Sequence, residues 1–396
     1  MRFFDDPDMD FATRCVLSGV RHGMAEVGET LTTIAHVIDG DAASWLDAFV
    51  ALGRRLRREA DRAAARGHTF SAWNAALRSA NYLYAGLWWA PATPAAPDEP
   101  ALWEEHMGSW DLAVTHWPSP VELVGLAHDG TTLAGWWFTS PAATTEPAPA
   151  VVLVQGLGTP ISDICMTGLD GALARGHHVL VFDGPGQGRT LRERGRTLDD
   201  TWPTAIRTAL EWTAGRAEVD ASRVSLIGVG AGALFAAGAA GDAATPAALV
   251  LDPGVVDLGA DAAASLGSAT DDRARRLLAR TTTWPTGAPD LAAAVEVLAT
   301  HTLDASALGA IRCPTLVVTA DEAFGFRGQE QSLRAALRCS NDLVVLRAAD
   351  GAGADNGIGA SQVHDAAVHD WLDATLVPRE APRRAGGPGD DGGRRD

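Results

Sequence analysis

The chain has 396 residues, 46% hydrophobic and 21% charged, a globular composition long enough to bury a sizeable core. Its formal net charge is −18, and all 32 basic residues are arginine. The absence of lysine excludes Schiff-base chemistry, lysine-bound pyridoxal phosphate and a Walker phosphate loop. The acidic balance argues against nucleic acid as a partner.

In chain order, the opening MRFFDDPDMDF is acidic and lacks an apolar run, so it does not read as a signal peptide. Residues 11–90 read as helical, with long helices over 44–65, where Ser44 is a candidate N-cap, and over 71–89. A Pro-rich connector at 91–100 and a short helix near 103–112 follow. Strands at 121–126 and 131–138 flank Asp129-Gly130, a hairpin signal. From there strands (150–154, 178–182, 223–228, 247–251, 314–319, 342–347) alternate with helices (163–175, 201–215, 231–240, 328–338, 361–376), and 258–310 reads as helical and irregular. Alternation of this kind predicts an α/β fold with a mostly parallel sheet covered on both faces. The expected division is a helical lid at 1–118, an α/β core at 119–378 and a disordered Gly/Pro/charge tail at 379–396. No stretch reaches the ~18 apolar residues of a membrane helix, so no membrane partner is expected. Cys15, Cys165, Cys313 and Cys339 lie far apart without a CxxC and read as reduced thiols of a cytoplasmic protein. Neither a metal nor another cofactor is expected, since the histidines, His364 and His369 included, lack partners at ligand spacing.

The segment 224–238 reads as strand, sharp turn and helix, the pattern of a nucleophile elbow G-x-S-x-G. Here it is Gly228-Val229-Gly230-Ala231-Gly232, with glycine where a serine nucleophile would stand. The run FDGPGQG at 182–188, the segment GAGADNGIGA before VHDWLDATL, and GETLTTIAHVIDGDAASW, GHTFSAWNAALRSANYLY and PVELVGLAHDGTTLAGWWF in the front half carry a resemblance. They resemble the family of 2,6-dihydroxypseudooxynicotine hydrolase, the fungal heptaketide hydrolases and the fermentation-respiration switch proteins. The resemblance spans about residues 14–376. It implies an α/β-hydrolase core under an N-terminal helical domain, and a Ser-His-Asp triad that cleaves esters or C–C bonds.

Against that pattern the serine position is Gly230, and Asp355 falls on the histidine position. The acid position falls on Ala323, or on Asp321 or Glu322 with a small shift. The usual His-Gly after the first core strand is Gln155-Gly156. Without a nucleophile no acyl-enzyme can form, and loss of a serine nucleophile costs about 10⁶-fold in kcat. The candidate catalytic residues are therefore Asp355, Asp321 and Glu322. The candidate substrate-binding residues are Gly230 and Ala231 at the elbow, the loop Gln155, Gly156, Leu157 and Gly158 as second oxyanion donor, and Tyr82 and Trp88 as an aromatic roof. Asp163 reads as an N-cap, Asp252 as a turn residue or substitute acid, and Cys165 as a buried thiol. The expected partner is a small molecule, with a homodimer left open. Three functions stay open: a cofactor-independent lyase or cyclase on a polyketide-like, carbonyl-rich intermediate, a hydrolase with relocated catalytic groups, and a catalytically dead binding protein.

Overall fold

The computed structural model describes residues 2–93, 98–144, 147–242, 245–269, 271–323 and 325–377; the predicted tail lies outside them. The side chains at 164–166 and 242 are outside as well, so the Cys165 thiol is not among those described.

Eight strands run Val121–His128 (β1), Thr131–Phe138 (β2), Ala148–Val154 (β3), His178–Phe182 (β4), Val219–Val229 (β5), Ala248–Asp252 (β6), Thr315–Ala320 (β7) and Asn341–Leu346 (β8). They form one sheet in the order β1-β2-β4-β3-β5-β6-β7-β8. β1 and β2 pair antiparallel, as do β2 and β4; the remaining pairs are parallel. The hairpin turn puts both Asp129 and Gly130 in the left-handed region, at φ 45° and 73°, as a tight two-residue turn demands. The six strands expected of the core all lie in this sheet. β5 begins at Val219 rather than 223, because its first residues are polar: Asp220 accepts from Ser222 and Arg223, and no apolar run betrays the strand there.

Among the described residues five α-helices precede the sheet: Pro7–Ser18 (α1), Val27–Ile34 (α2), Ala42–Ala65 (α3), Thr69–Trp89 (α4) and Glu99–Thr115 (α5). The cap of α3 is Asp41, not Ser44. The Asp41 carboxylate accepts the Ala43 amide at 3.0 Å from an extended backbone, which starts the helix earlier and leaves Ser44 inside its first turn. α3 and α4 approach closely through glycine. A Cβ on Gly53 would stand 2.6 Å from Leu83 Cγ, and one on Gly86 would stand 2.8 Å from Val50 Cγ2.

Among the described residues ten further α-helices occur: Leu169–Ala174 (α6), Gly188–Arg192 (α7), Trp202–Ala214 (α8), Ala231–Asp242 (α9), Leu258–Ser268 (α10), Asp272–Thr286 (α11), Leu291–Ala299 (α12), Ala305–Ala310 (α13), Gln329–Ala336 (α14) and Ser361–Thr375 (α15). The helix predicted over 163–175 divides into a 3-10 segment, Ile161–Thr167, and α6. The irregular stretch 258–310 resolves into α10 to α13. Each of these begins on an aspartate that accepts a first-turn amide: Asp257 from Ala260, Asp271 from Ala274, Asp290 from Ala293 and Asp304 from Ala307. Each such cap is worth about 1 kcal/mol. One sheet face packs on α4, α5, α6 and α15, the other on α8, α9, α10, α13 and α14. A third core holds Trp45, Phe49, Tyr82 and Trp89 among the first helices. Among the described residues, no helix is long and apolar enough to cross a membrane.

Candidate active site

β5 ends at Val229 and turns through Gly230 into α9. Gly230 has φ 58°, a left-handed conformation that costs an L side chain roughly 1 kcal/mol or more. Its amide donates to the Asp252 carbonyl at the end of β6 at 2.7 Å, and its carbonyl accepts from Ala233 at 3.0 Å. This is the strand–turn–helix geometry expected of the elbow, at the C-terminal edge of the sheet. The turn lines a cavity of about 480 Å³. A Cβ at 230 would meet only the Gly156 Cα, at 3.6 Å, so the space above the turn is open. Ala231 opens α9, where first-turn amides have no intrahelical acceptor and the dipole favours negative charge.

The FDGPGQG run holds the loop opposite. The buried Asp183 accepts the Arg189 amide at 2.8 Å, and its carbonyl accepts Thr190 Oγ1 at 2.6 Å. Burial pushes the Asp183 carboxyl up to about 7. Gln187 takes the Gly184 amide on its Oε1 and donates Nε2 to the carbonyls of Gln155 and Gly156, at 2.6 and 3.1 Å. The motif thereby fixes the loop after β3. Gln155, Gly156 and Leu157 line the cavity as expected, but Gly158 does not. The Gly158 amide donates to the Gly186 carbonyl at 3.0 Å and cannot also serve an oxyanion.

Asp355, on the loop after β8, faces the same cavity as Gly230 and Ala231, and its Oδ2 accepts the Gly325 amide at 2.9 Å. The other two acids do not reach it. Asp321 is exposed and its Oδ1 accepts the Ala348 amide at 2.8 Å, which ties the turn after β7 to the segment after β8. Glu322 is exposed as well, and Ala323 is buried in the core.

The aromatic roof is not where the sequence suggests. Tyr82 is buried in the N-terminal core; its hydroxyl accepts the Glu26 amide at 2.8 Å and donates to Glu29 at 3.1 Å. Trp88 packs between that core and the one beneath the sheet. α4 is enclosed on most sides, so its rings are core. The cavity is covered instead by Cys15 and Ser18 of α1 and by Leu258, Ala262, Leu278 and Leu298 of α10, α11 and α12.

Two further carboxylates face the cavity, Asp163 and Asp261. Asp163 is not a helix cap. It is half-buried on the cavity wall, with no ion-pair partner among the described residues, and burial pushes it up to about 7. Asp261 is raised too, by burial, although its Oδ1 accepts the Phe326 amide at 2.6 Å. Sequence reasoning reads Asp163 as a cap and does not weigh Asp261; the desolvation that raises both comes from segments far away in the chain.

Beneath the elbow the structure joins two residues that the sequence leaves separate. His364 Nε2 of α15 stands 2.6 Å from Asp252 Oδ2, and both side chains are buried. Burial opposes a charge on this ring, but the Asp252 and Asp365 carboxylates outweigh it and raise His364 to about 9. An imidazolium whose Nε2 is taken by Asp252, and which does not line the cavity, is a poor base. Among the described residues no group of three His, Cys, Asp or Glu is placed to hold a metal.

No protein-family model matches the chain. Hydrolase acrC of Aspergillus aculeatus is 29% identical over 258 residues, covering 61% of this chain and 60% of its own length. Hydrolase LUC6 of a Fusarium species is 26% identical over 392 residues, covering 89% and 92%. The 20-hydroxy-prefusarin hydrolase FUS2 of Gibberella moniliformis is 26% identical over 389 residues, covering 89% and 93%. The solved 2,6-dihydroxy-pseudo-oxynicotine hydrolase superposes with TM-score 0.74 over 91% of this chain and 96% of that one, at 18% identity. AbyA5 superposes with TM-score 0.61 over 93% of each, at 16% identity. The chain has the α/β-hydrolase fold, and the sequence relatives it resembles are named as fungal hydrolases.

Proposed function

We propose that this protein is a cofactor-independent acid–base enzyme that works without an acyl-enzyme, a lyase or cyclase on a small carbonyl-bearing molecule. The observation that carries this reading is the pairing of a bare turn at Gly230 with Asp355 and Asp163 on the walls of one cavity. The Ala231 amide and the amide end of α9 stand where a carbonyl oxygen gains charge as an enolate forms. Asp355 takes the proton from the carbon next to that carbonyl, and the C–H electron pair becomes the enolate. The enolate re-forms the carbonyl as it expels an oxygen leaving group from the β-carbon, and Asp163 gives that oxygen a proton. The product is an alkene conjugated to the carbonyl; a hydroxyl within the substrate that adds to its β-carbon, passing its proton to Asp163 while Asp355 returns a proton to the α-carbon, gives a ring. An apolar lid over a few polar groups suits a natural-product-like intermediate.

A hydrolytic reading is favoured by the names of the relatives. There Asp355 would draw a proton from water instead of from carbon, and the attack would again bypass residue 230.

The test is proton exchange. A β-hydroxy ketone with an apolar tail, incubated in D2O, should gain deuterium at its α-carbon with the wild-type chain. Asp355→Asn, whose amide oxygen still accepts from Gly325, should lower that rate at least ~10²-fold, the scale of general-base loss. No enzyme-dependent exchange over a panel of such ketones, together with one ¹⁸O per turnover entering the product of an ester or diketone in labelled water, would replace this reading with the hydrolytic one.

A further inference from the structure

α11 separates the cavity from a second space. Leu278, Thr281 and Thr282 face the cavity, while Arg276, Ala279, Arg280 and Thr283 face an outer cleft of about 910 Å³. These two sets fall on different faces of one helix. The far walls of the cleft are α5, with Glu99 and Trp103, and α7, with Arg189 and Arg192.

Its cations are unevenly neutralised. Arg189 Nη2 donates to both Asp111 carboxylate oxygens, at 2.6 and 2.7 Å. Arg280 is only 7% exposed; its Nη1 donates to Glu99 at 2.7 Å, and its Nη2 reaches no acceptor. Arg192 has no carboxylate within ion-pair distance among the described residues. It lies against two indoles instead, its Cζ 4.5 Å from the Trp103 ring and 3.8 Å from the Trp284 ring. Burial first, and then the charge of Arg280, hold Arg192 down to about 9. Two guanidinium groups that repel each other in a half-dry cleft are a standing demand for an anion between them. A guanidinium packed against rings keeps its N–H edge for two parallel bonds to an oxyanion. Trp284, 37% exposed, offers a flat apolar surface beside it.

We propose that the outer cleft binds a small organic anion: a carboxylate or phosphate monoester on Arg192 and Arg280, joined to a flat apolar body that lies on Trp284. The chain's charge of −18, and Glu104 and Glu193 on the cleft's rim, disfavour polyphosphates and polynucleotides. This site does not depend on the chemistry proposed for the inner cavity.

The test is calorimetric titration of the full chain with 1-naphthoate and 1-naphthyl phosphate, with neutral 1-naphthol as reference. At least one anion should bind, more weakly as salt rises, and more tightly than naphthol. Arg192→Met, which keeps an apolar stem, should weaken that binding at least tenfold, and Trp284→Leu, at a partly exposed position, should weaken it too. Arg58→Met on the exposed face of α3 should leave it unchanged. Preference between the two anions identifies the headgroup. The proposal fails if neither anion binds, if naphthol binds as well as both, or if both variants bind like wild type. If Arg192→Met does not fold, Trp284→Leu alone decides.

Discussion

Gly230→Ser adds a hydroxyl to a turn that already has the left-handed backbone of an elbow and open space above it. The variant should fold, at a cost of roughly 1–2 kcal/mol for a side chain at that φ. It should remain without p-nitrophenyl esterase activity and without a fluorophosphonate adduct by intact-mass measurement, because His364 is held away on Asp252 and Asp355 occupies the loop. A stoichiometric adduct on the new serine would show that some other base reaches it. Asp163 carries the second residue-scale prediction. Its carboxyl is raised by burial to about 7, so as proton donor it is active below that value and lost above it. The kcat of the wild type should fall as pH rises through about 7, and Asp163→Asn should flatten that limb while lowering kcat throughout. Stability runs in the same direction. A carboxyl whose folded pKa is raised stabilises below its unfolded pKa and loses that contribution as pH climbs to about 7. Asp163→Asn should therefore be more stable than wild type at pH 8, by about 1.4 kcal/mol for each pKa unit of the shift, as read by urea unfolding.

Among the elements, the contact of α15 with the end of β6 rests on one buried pair, His364 with Asp252. The ring is raised to about 9, above the ordinary 6.5, so the pair contributes fully below about 6.5 and is lost as pH rises through about 9. Wild-type Tm should drop between about pH 6.5 and 9 and level off above that. His364→Gln should lose most of that pH dependence and be less stable at pH 7 by about 3–5 kcal/mol, because Asp252 stays buried without a cation. Equal slopes for the two proteins would place the titration elsewhere. The same pair shows why elements were easier to read than sites. Strand runs such as ALVLD and HVLVF act over a few neighbouring residues, so local sequence reports them, whereas the aspartate caps that divide 258–310 into α10 to α13 were not read from it. His364 and Asp252 stand 112 residues apart and meet only when α15 docks against the sheet.

Over the whole molecule, what sequence alone determined was the series of strands, the elbow at Gly230, the FDGPGQG motif that fixes the loop after β3, and Asp355 at the cavity. The strands rest on period and turn chemistry, the elbow on its strand–turn–helix motif, and Asp355 on the family resemblance that sets it at the histidine position. Burial decided the rest. Tyr82 and Trp88 became core because α4 is enclosed by α3, α5 and the sheet, and the roof passed to α1 and α10 to α12. Asp321 and Asp355 have the same side chain on loops at the same edge, yet one caps a solvent-exposed segment and the other faces the cavity. Asp163 and Arg192 carry shifted pKa values only because distant helices remove the water around them. Desolvation is a property of the assembled fold, the sum of what many remote segments place around a group, and no local stretch of residues encodes it.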